Sequence, residues 1–174
     1  VLATAGAAVI LALRWAPVLA SPASLGEYIE DPLSVGAQSI LVILGFLAVL
    51  VMADRTSVGD GAFAGQPSDR PESAAEELTE RANYQRSEMF PLTLFSLGGM
   101  MIFPAADNFV TLFVALEVMS LPLYTMAATA RYRRQLSYES ALKYFVLGAF
   151  SSAFMLMGIA FLFGFGNTLQ MSAL

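Results

Sequence analysis

Apolar and polar positions alternate along this chain in long blocks rather than with a short period, and five apolar blocks stand out. The first is VLATAGAAVILALRWAPVLA, apolar through Leu13 and broken at Pro17. The second runs from about Val35 to Ala53 and the third from Met89 to about Phe103. The fourth, NFVTLFVALEVMSLPLYTMAA, covers 108–128, and the fifth follows Ser137 as YESALKYFVLGAFSSAFMLMGIAFLFGF. About 20 residues at roughly 1.5 Å each cross a hydrocarbon core of about 30 Å, so each block predicts one membrane crossing.

Four polar connections part these blocks. SPASLGEYIEDPL is rich in turn formers and carries Glu27, Glu30 and Asp31, which makes it an aqueous loop. PAADN is a tight turn. Residues 54–88 open with Gly, Asp, Ser and Pro and then turn to PESAAEELTERANYQRSE, whose Ala, Glu and Arg favour a short surface helix. ARYRRQ gathers Arg131, Arg133 and Arg134, after which Ser137 is the predicted N-cap of the fifth helix. At the end of the first block, Arg14 and Trp15 read as an interfacial anchor, the guanidinium reaching the headgroups.

If the five blocks alternate, 54–88 and 129–137 share one side and hold seven arginines, whereas the other side has Arg14 alone. An excess of Lys and Arg marks the cytoplasmic side, so both arginine-bearing loops belong there. One span more or fewer between them would put them on opposite sides. Composition agrees: 57% of residues are hydrophobic and 13% charged, and mean hydropathy is +0.65, well beyond a globular mix. The net charge of −5 sits in the loops and points to neither nucleic acid nor a basic membrane-surface patch. The chain has no Cys and no His, which removes disulfides and the usual ligands of iron–sulfur clusters, haem and zinc. Redox chemistry therefore belongs to partners. The sequence begins inside an apolar run and ends soon after another, so a longer polypeptide is expected.

Only Glu117 and Lys143 lie clearly inside the apolar blocks. Glu117 falls near the centre of the fourth span, where an ionisable side chain costs on the order of 3 kcal/mol and normally faces protein or water along an ion path. Pro122, five residues on, cannot donate to the carbonyl of Val118 and breaks the hydrogen-bond ladder within a turn or so of the acid. Lys143 enters the fifth helix from its cytoplasmic end. It either snorkels and pairs with Glu139 four residues earlier, or couples to Glu117 in a relay whose spacing a conformational change alters. The competing structural reading makes both charges ties between helices. Gly148, Ala149, Ser151, Ser152, Ala153 and Gly158 allow close packing in the fifth helix, with hydroxyls able to bond a neighbour.

The succession LGGMMIFPAADNFVTLFVALEVMSLPLYTMAA, a basic loop, then SYESALKYFVLGAFSSAFMLMGIA resembles the subunit N family of bacterial NADH:quinone oxidoreductase, respiratory complex I, over about residues 88–165. The resemblance implies an all-α polytopic membrane helix bundle, with five transmembrane helices here, about helices two to six of a fourteen-helix antiporter-like subunit. The hydropathy runs and the arginine count, rather than the resemblance, divide the chain into 1–53, two helices with a periplasmic loop; 54–88, an acidic cytoplasmic loop with a short surface helix; and 89–174, three helices carrying Glu117 and Lys143. The resemblance implies a proton relay at Glu117, in an LExMSLPLY-type motif, and at Lys143, in an ALKYF-type motif. By the same resemblance, NADH, FMN, iron–sulfur clusters and quinone belong to other subunits. The expected partners are the other membrane-arm subunits and the lipid bilayer of the bacterial inner membrane. No nucleic acid is expected, and this chain handles only protons and water. A rival within the same superfamily is a subunit of a multisubunit cation/proton antiporter. A rival of another class is a membrane scaffold with no proton path.

Overall fold

The computed structural model describes residues 2–20, 23–24, 26–53, 74, 89–128 and 134–174. The short surface helix expected within 54–88 lies outside the described residues. Five helices carry the architecture: α1 Leu2–Ala20, α2 Pro32–Ala53, α3 Met89–Ile102, α4 Phe109–Ala127 and α5 Arg134–Gly166. Two short strands, β1 Ala23–Ser24 and β2 Ile29–Glu30, pair antiparallel between α1 and α2. Among the described residues, four helices are long and apolar enough to cross a membrane, and Met89–Ala105 forms a shorter apolar helix. The polytopic helical bundle expected from the hydropathy blocks is thus the observed fold.

Helix boundaries follow local chemistry that hydropathy does not register. α1 is not broken at Pro17 but continues through it to Ala20, since an interior proline removes one rung and kinks the helix without ending it. α2 begins at Pro32, earlier than the apolar run, because Asp31 caps it. Asp31 Oδ1 accepts from Ser34 N at 2.7 Å, and Asp31 N donates back to Ser34 Oγ at 3.1 Å. This reciprocal pair has the logic of a capping box, with proline at the first helical position where its missing N–H is harmless. α5 begins at Arg134, not after Ser137. Ser137 instead donates from Oγ to the carbonyl of Ala127 at 2.6 Å, satisfying the end of α4.

Leu11 and Val18 of α1 pack with Val35 and Val42 of α2, and Trp15 lies against this cluster. Trp15 Nε1 donates to Ser39 Oγ at 3.1 Å, and Arg14 pairs with Glu30 of β2 rather than standing free. α3 and α4 approach closely at Gly99, where an added Cβ would lie 2.5 Å from Met119 N. One turn away, Ser96 Oγ donates to Met119 O at 2.9 Å.

The connections that alternating topology assigns to one side meet at one end of the bundle. Tyr28 bridges Ala106, and Asn108 bridges Gln170. At the centre is Asp107, 3% exposed. Its N–H donates to Glu27 O at 2.9 Å and its carbonyl accepts from Met171 N at 2.7 Å. Its carboxylate accepts from Ser172 N at 3.0 Å and from Ser172 Oγ at 2.7 Å. Asp107→Ala leaves both Ser172 donors unpaired, a loss of about 1–3 kcal/mol. A lower thermal midpoint of the full-length protein is expected. Asp107→Asn should fall between, since its amide oxygen still accepts from Ser172 N and its amide nitrogen can donate to Ser172 Oγ. Equal midpoints for the alanine variant and the parent would remove Asp107 from this role.

Candidate functional site

α4 starts at Asn108, whose side chain accepts from Val110 N at 2.8 Å and so satisfies an otherwise orphaned first-turn amide. From Phe109 to Glu117 the rise is about 12 Å, and from Glu117 to Ala127 about 15 Å, which places the carboxylate near mid-helix. Glu117 is half-buried, and its hydrogen-bond partner among the described residues is Ser152 of α5, whose Oγ donates to Glu117 Oε1. An acid in mid-span is therefore held by a hydroxyl of the next helix in sequence. That bond fixes the carboxyl toward protein rather than toward acyl chains. A carboxyl and a hydroxyl in direct contact can hand a proton along, the oxygen of each accepting and the O–H donating.

Pro122 is buried inside α4, and the helix runs on past it without interruption. The break expected there is a missing rung: proline has no N–H for the carbonyl of Val118. The bond from Ser96 to Met119 O braces the neighbouring carbonyl from α3, one of the ways membrane helices accommodate an interior proline.

Toward the α4 C-terminus, the Tyr124 ring lies against Gly148 of α5, where any Cβ would collide with the phenol. Tyr124 also meets Tyr144 and Phe145 edge-on, with ring centroids 4.8 and 5.8 Å apart. Ser137, Tyr144, Gly148 and Ser152 follow one another at intervals of seven, four and four, the spacing of a single helix face. This stripe is the α5 side of the site.

Lys143 does not belong to it. It is nine residues from Ser152, which on an α-helix is about 180° around the axis and about 13 Å along it. Its Nζ pairs with Glu139 Oε1 at 2.5 Å, with the two side chains 69% and 56% exposed. The structure therefore joins Glu117 to Ser152 and Lys143 to Glu139, and does not bring the two sequence candidates together. Because α5 starts at Arg134, ahead of the expected cap at Ser137, Lys143 is about 13 Å from the helix start. It shares its face with Phe150, Phe154 and Phe161, all strongly exposed on the side turned from α4.

Sequence reasoning saw Ser152 only as one small residue among several. Helical phase does not single it out, because Ser151, seven residues after Tyr144 and three after Gly148, falls on the same stripe.

Residues 106–174 match the family model described as NADH:quinone oxidoreductase/Mrp antiporter, TM. A curated relative in Beutenbergia cavernae, named NADH-quinone oxidoreductase subunit N, is 46% identical over 96% of this chain and 33% of its own length. Another of that name in Mycobacteroides abscessus is 50% identical over 78% of this chain and 28% of its own. The chain spans about a third of the length of the curated relatives it matches. Among solved structures, a chain of respiratory complex I from Thermus thermophilus with bound aureothin aligns with a TM-score of 0.63 and 27% identity, covering 96% of this chain and 32% of that one.

Proposed function

Since the chain belongs to the subunit N family of NADH-quinone oxidoreductases, of which it spans about a third, we propose that it forms part of a proton-translocating membrane subunit of complex I. In that role it couples NADH oxidation and quinone reduction, carried out by partner subunits, to proton transfer across a bacterial inner membrane. The observation that carries the reading is the Glu117 carboxylate, held in mid-span by Ser152 of the adjacent helix. Glu117 is the group that takes up and releases the proton, Ser152 orients it, and Pro122 supplies a carbonyl free of its helical partner nearby. The arginine-bearing loops 54–88 and 129–137 face the cytoplasm. NADH, FMN, iron–sulfur clusters and quinone reside in other subunits, in keeping with a chain that lacks Cys and His.

Lys143 has a different place in this reading. Paired with Glu139 on the far face of α5, it acts on Glu117 only through a change in that ion pair or through groups that pack against that face. Lys143→Ala is therefore expected to lower the number of protons moved per electron less than loss of the Glu117 charge does. An unchanged ratio would leave Lys143 as an interfacial anchor.

The family description also names the Mrp antiporter, which keeps the reading as a subunit of a cation/proton antiporter in play. The subunit N names of the relatives favour the redox complex, and co-purification with flavin and iron–sulfur proteins separates the two. The test of the relay itself is removal of the Glu117 charge without change of shape, read as protons moved per NADH oxidised by the assembled complex.

A further inference from the structure

α1 and α2 leave a groove of about 220 Å³ between them, and its lining includes Ala8, Leu11, Ala12, Trp15, Ser39 and Val42. Ala8, Leu11, Ala12 and Trp15 recur at helical spacing, so one face of α1 forms its length. The two alanines, a turn apart and both exposed, open it outward from the bundle. From Ala8 to Trp15 the rise is about 10 Å, or about two-thirds of the hydrocarbon depth of one leaflet. The polar lining is already satisfied. Trp15 Nε1 donates to Ser39 Oγ at 3.1 Å, and Ser39 Oγ donates in turn to Val35 O at 2.7 Å. An apolar hollow whose few polar groups have partners within the protein does not hold water. In a membrane, hydrocarbon must fill it.

At the Trp15 end the chemistry changes. Arg14 adjoins Trp15 and reaches Glu30 of β2, with the two side chains 32% and 23% exposed. The contact runs from Nη2 to one carboxylate oxygen, and among the described residues Glu30 is the partner of this guanidinium. The guanidinium fork carries five N–H donors, so donors remain for a second anion. Trp and Arg near the end of a span mark the level of the headgroups.

We propose that this groove seats one acyl chain of a phospholipid, with the phosphate at the Arg14 guanidinium. The chain runs inward from Trp15 past Ala12 to Ala8, in the leaflet on the Glu30 side. The volume has room for about seven groups of methylene size, taking about 30 Å³ for each. A transmembrane helix, about 10 Å across, could put only a side chain or two into so narrow a space, and its apolar surface offers the guanidinium nothing to bind. A phospholipid supplies both the chain and the anion, and the bond from arginine to phosphate is charge-assisted. The site lies on α1 and α2 and makes no use of Glu117.

The experiment uses the full-length protein in its assembled complex, reconstituted with a phosphatidylcholine that carries a photoreactive diazirine in its acyl chain. Exchange into detergent strips loosely held lipid, irradiation follows, and mass spectrometry locates the adducts. They are expected to survive the exchange at Ala8, Ala12 and Ile43, which line the groove, and to be lost from Val51 and Phe161, which are exposed outside it. Ala12→Phe fills the groove and should abolish the retained adducts at Ala8 and Ile43. Leu13→Phe, which adds its bulk on the exposed side of α1, should leave them unchanged. A diacylglycerol with the same photoreactive chain lacks the phosphate and should be retained less. Equal retention of the diacylglycerol would overturn the phosphate anchor at Arg14. Absence of retained adducts in the parent, whether another helix covers the groove or lipid exchanges freely, would overturn the site itself, and so would their survival in Ala12→Phe.

Discussion

Glu117→Gln is expected to leave the subunit assembled and to slow proton passage through it by about 10²-fold or more, the usual contribution of a positioned proton donor or acceptor. The amide has nearly the shape of the carboxyl, and its oxygen can still accept from Ser152, so the tie between α4 and α5 survives. What is lost is the capacity to bind and release a proton. In the assembled complex, NADH oxidation should continue while the ratio of protons moved to electrons transferred drops by this subunit's share. The same substitution divides the two classes of function. A scaffold needs only the hydrogen bond, which glutamine keeps, so a scaffold would pump at the parental ratio. A normal ratio in the glutamine variant, with assembly intact, would remove Glu117 from the proton path.

Hydropathy made the bundle legible because each crossing needs an unbroken apolar run, and no other constraint produces five of them in 174 residues. Glu117 was legible for the complementary reason, since a lone acid in such a run has few structural excuses. Its partner was not, because Ser151 and Ser152 are chemically the same and both fall close to the face set by Ser137, Tyr144 and Gly148, so only the packing of α5 against α4 separates them. Lys143 was legible only as two alternatives. Its presence in an apolar run invites pairing with Glu117, yet its phase turns it to the far side of α5, where Glu139 lies within reach one turn earlier. Asp107 went unremarked inside PAADN because its importance comes from three connections converging in space, which no local pattern records. The course of α1 beyond Pro17 and the early start of α2 reflect a proline and a cap, whose effects act over single residues rather than over a hydropathy window.

The second large effect is expected from the adjacent glycines of α3, which should respond in opposite ways. A Cβ at Gly99 would meet Met119 N at 2.5 Å, Ala115 O at 2.8 Å and Met119 Cα at 2.9 Å. All three belong to the α4 backbone and cannot rotate aside, so Gly99→Ala must push α3 and α4 apart by something on the order of 1 Å. The displacement also stretches the bond from Ser96 Oγ to Met119 O, one turn away on the same face. Overpacking and an unmade buried hydrogen bond together cost on the order of 2–4 kcal/mol. At Gly98 an added Cβ meets nothing within 4 Å, and alanine is the better helix former by about 1 kcal/mol. Gly98→Ala should therefore leave the thermal midpoint of the complex unchanged or raise it, while Gly99→Ala lowers it and reduces the amount of subunit incorporated. The consequence reaches the site, because α4 carries Glu117. Moving that helix against α5 misaligns the carboxyl with Ser152, and misplacement by about 1 Å can cost on the order of 10²-fold in rate. Complex that does assemble with Gly99→Ala should thus pump less per electron, although residue 99 touches no proton-carrying group. Equal behaviour of the two alanine variants would show that contact at Gly99 does not set the position of α4.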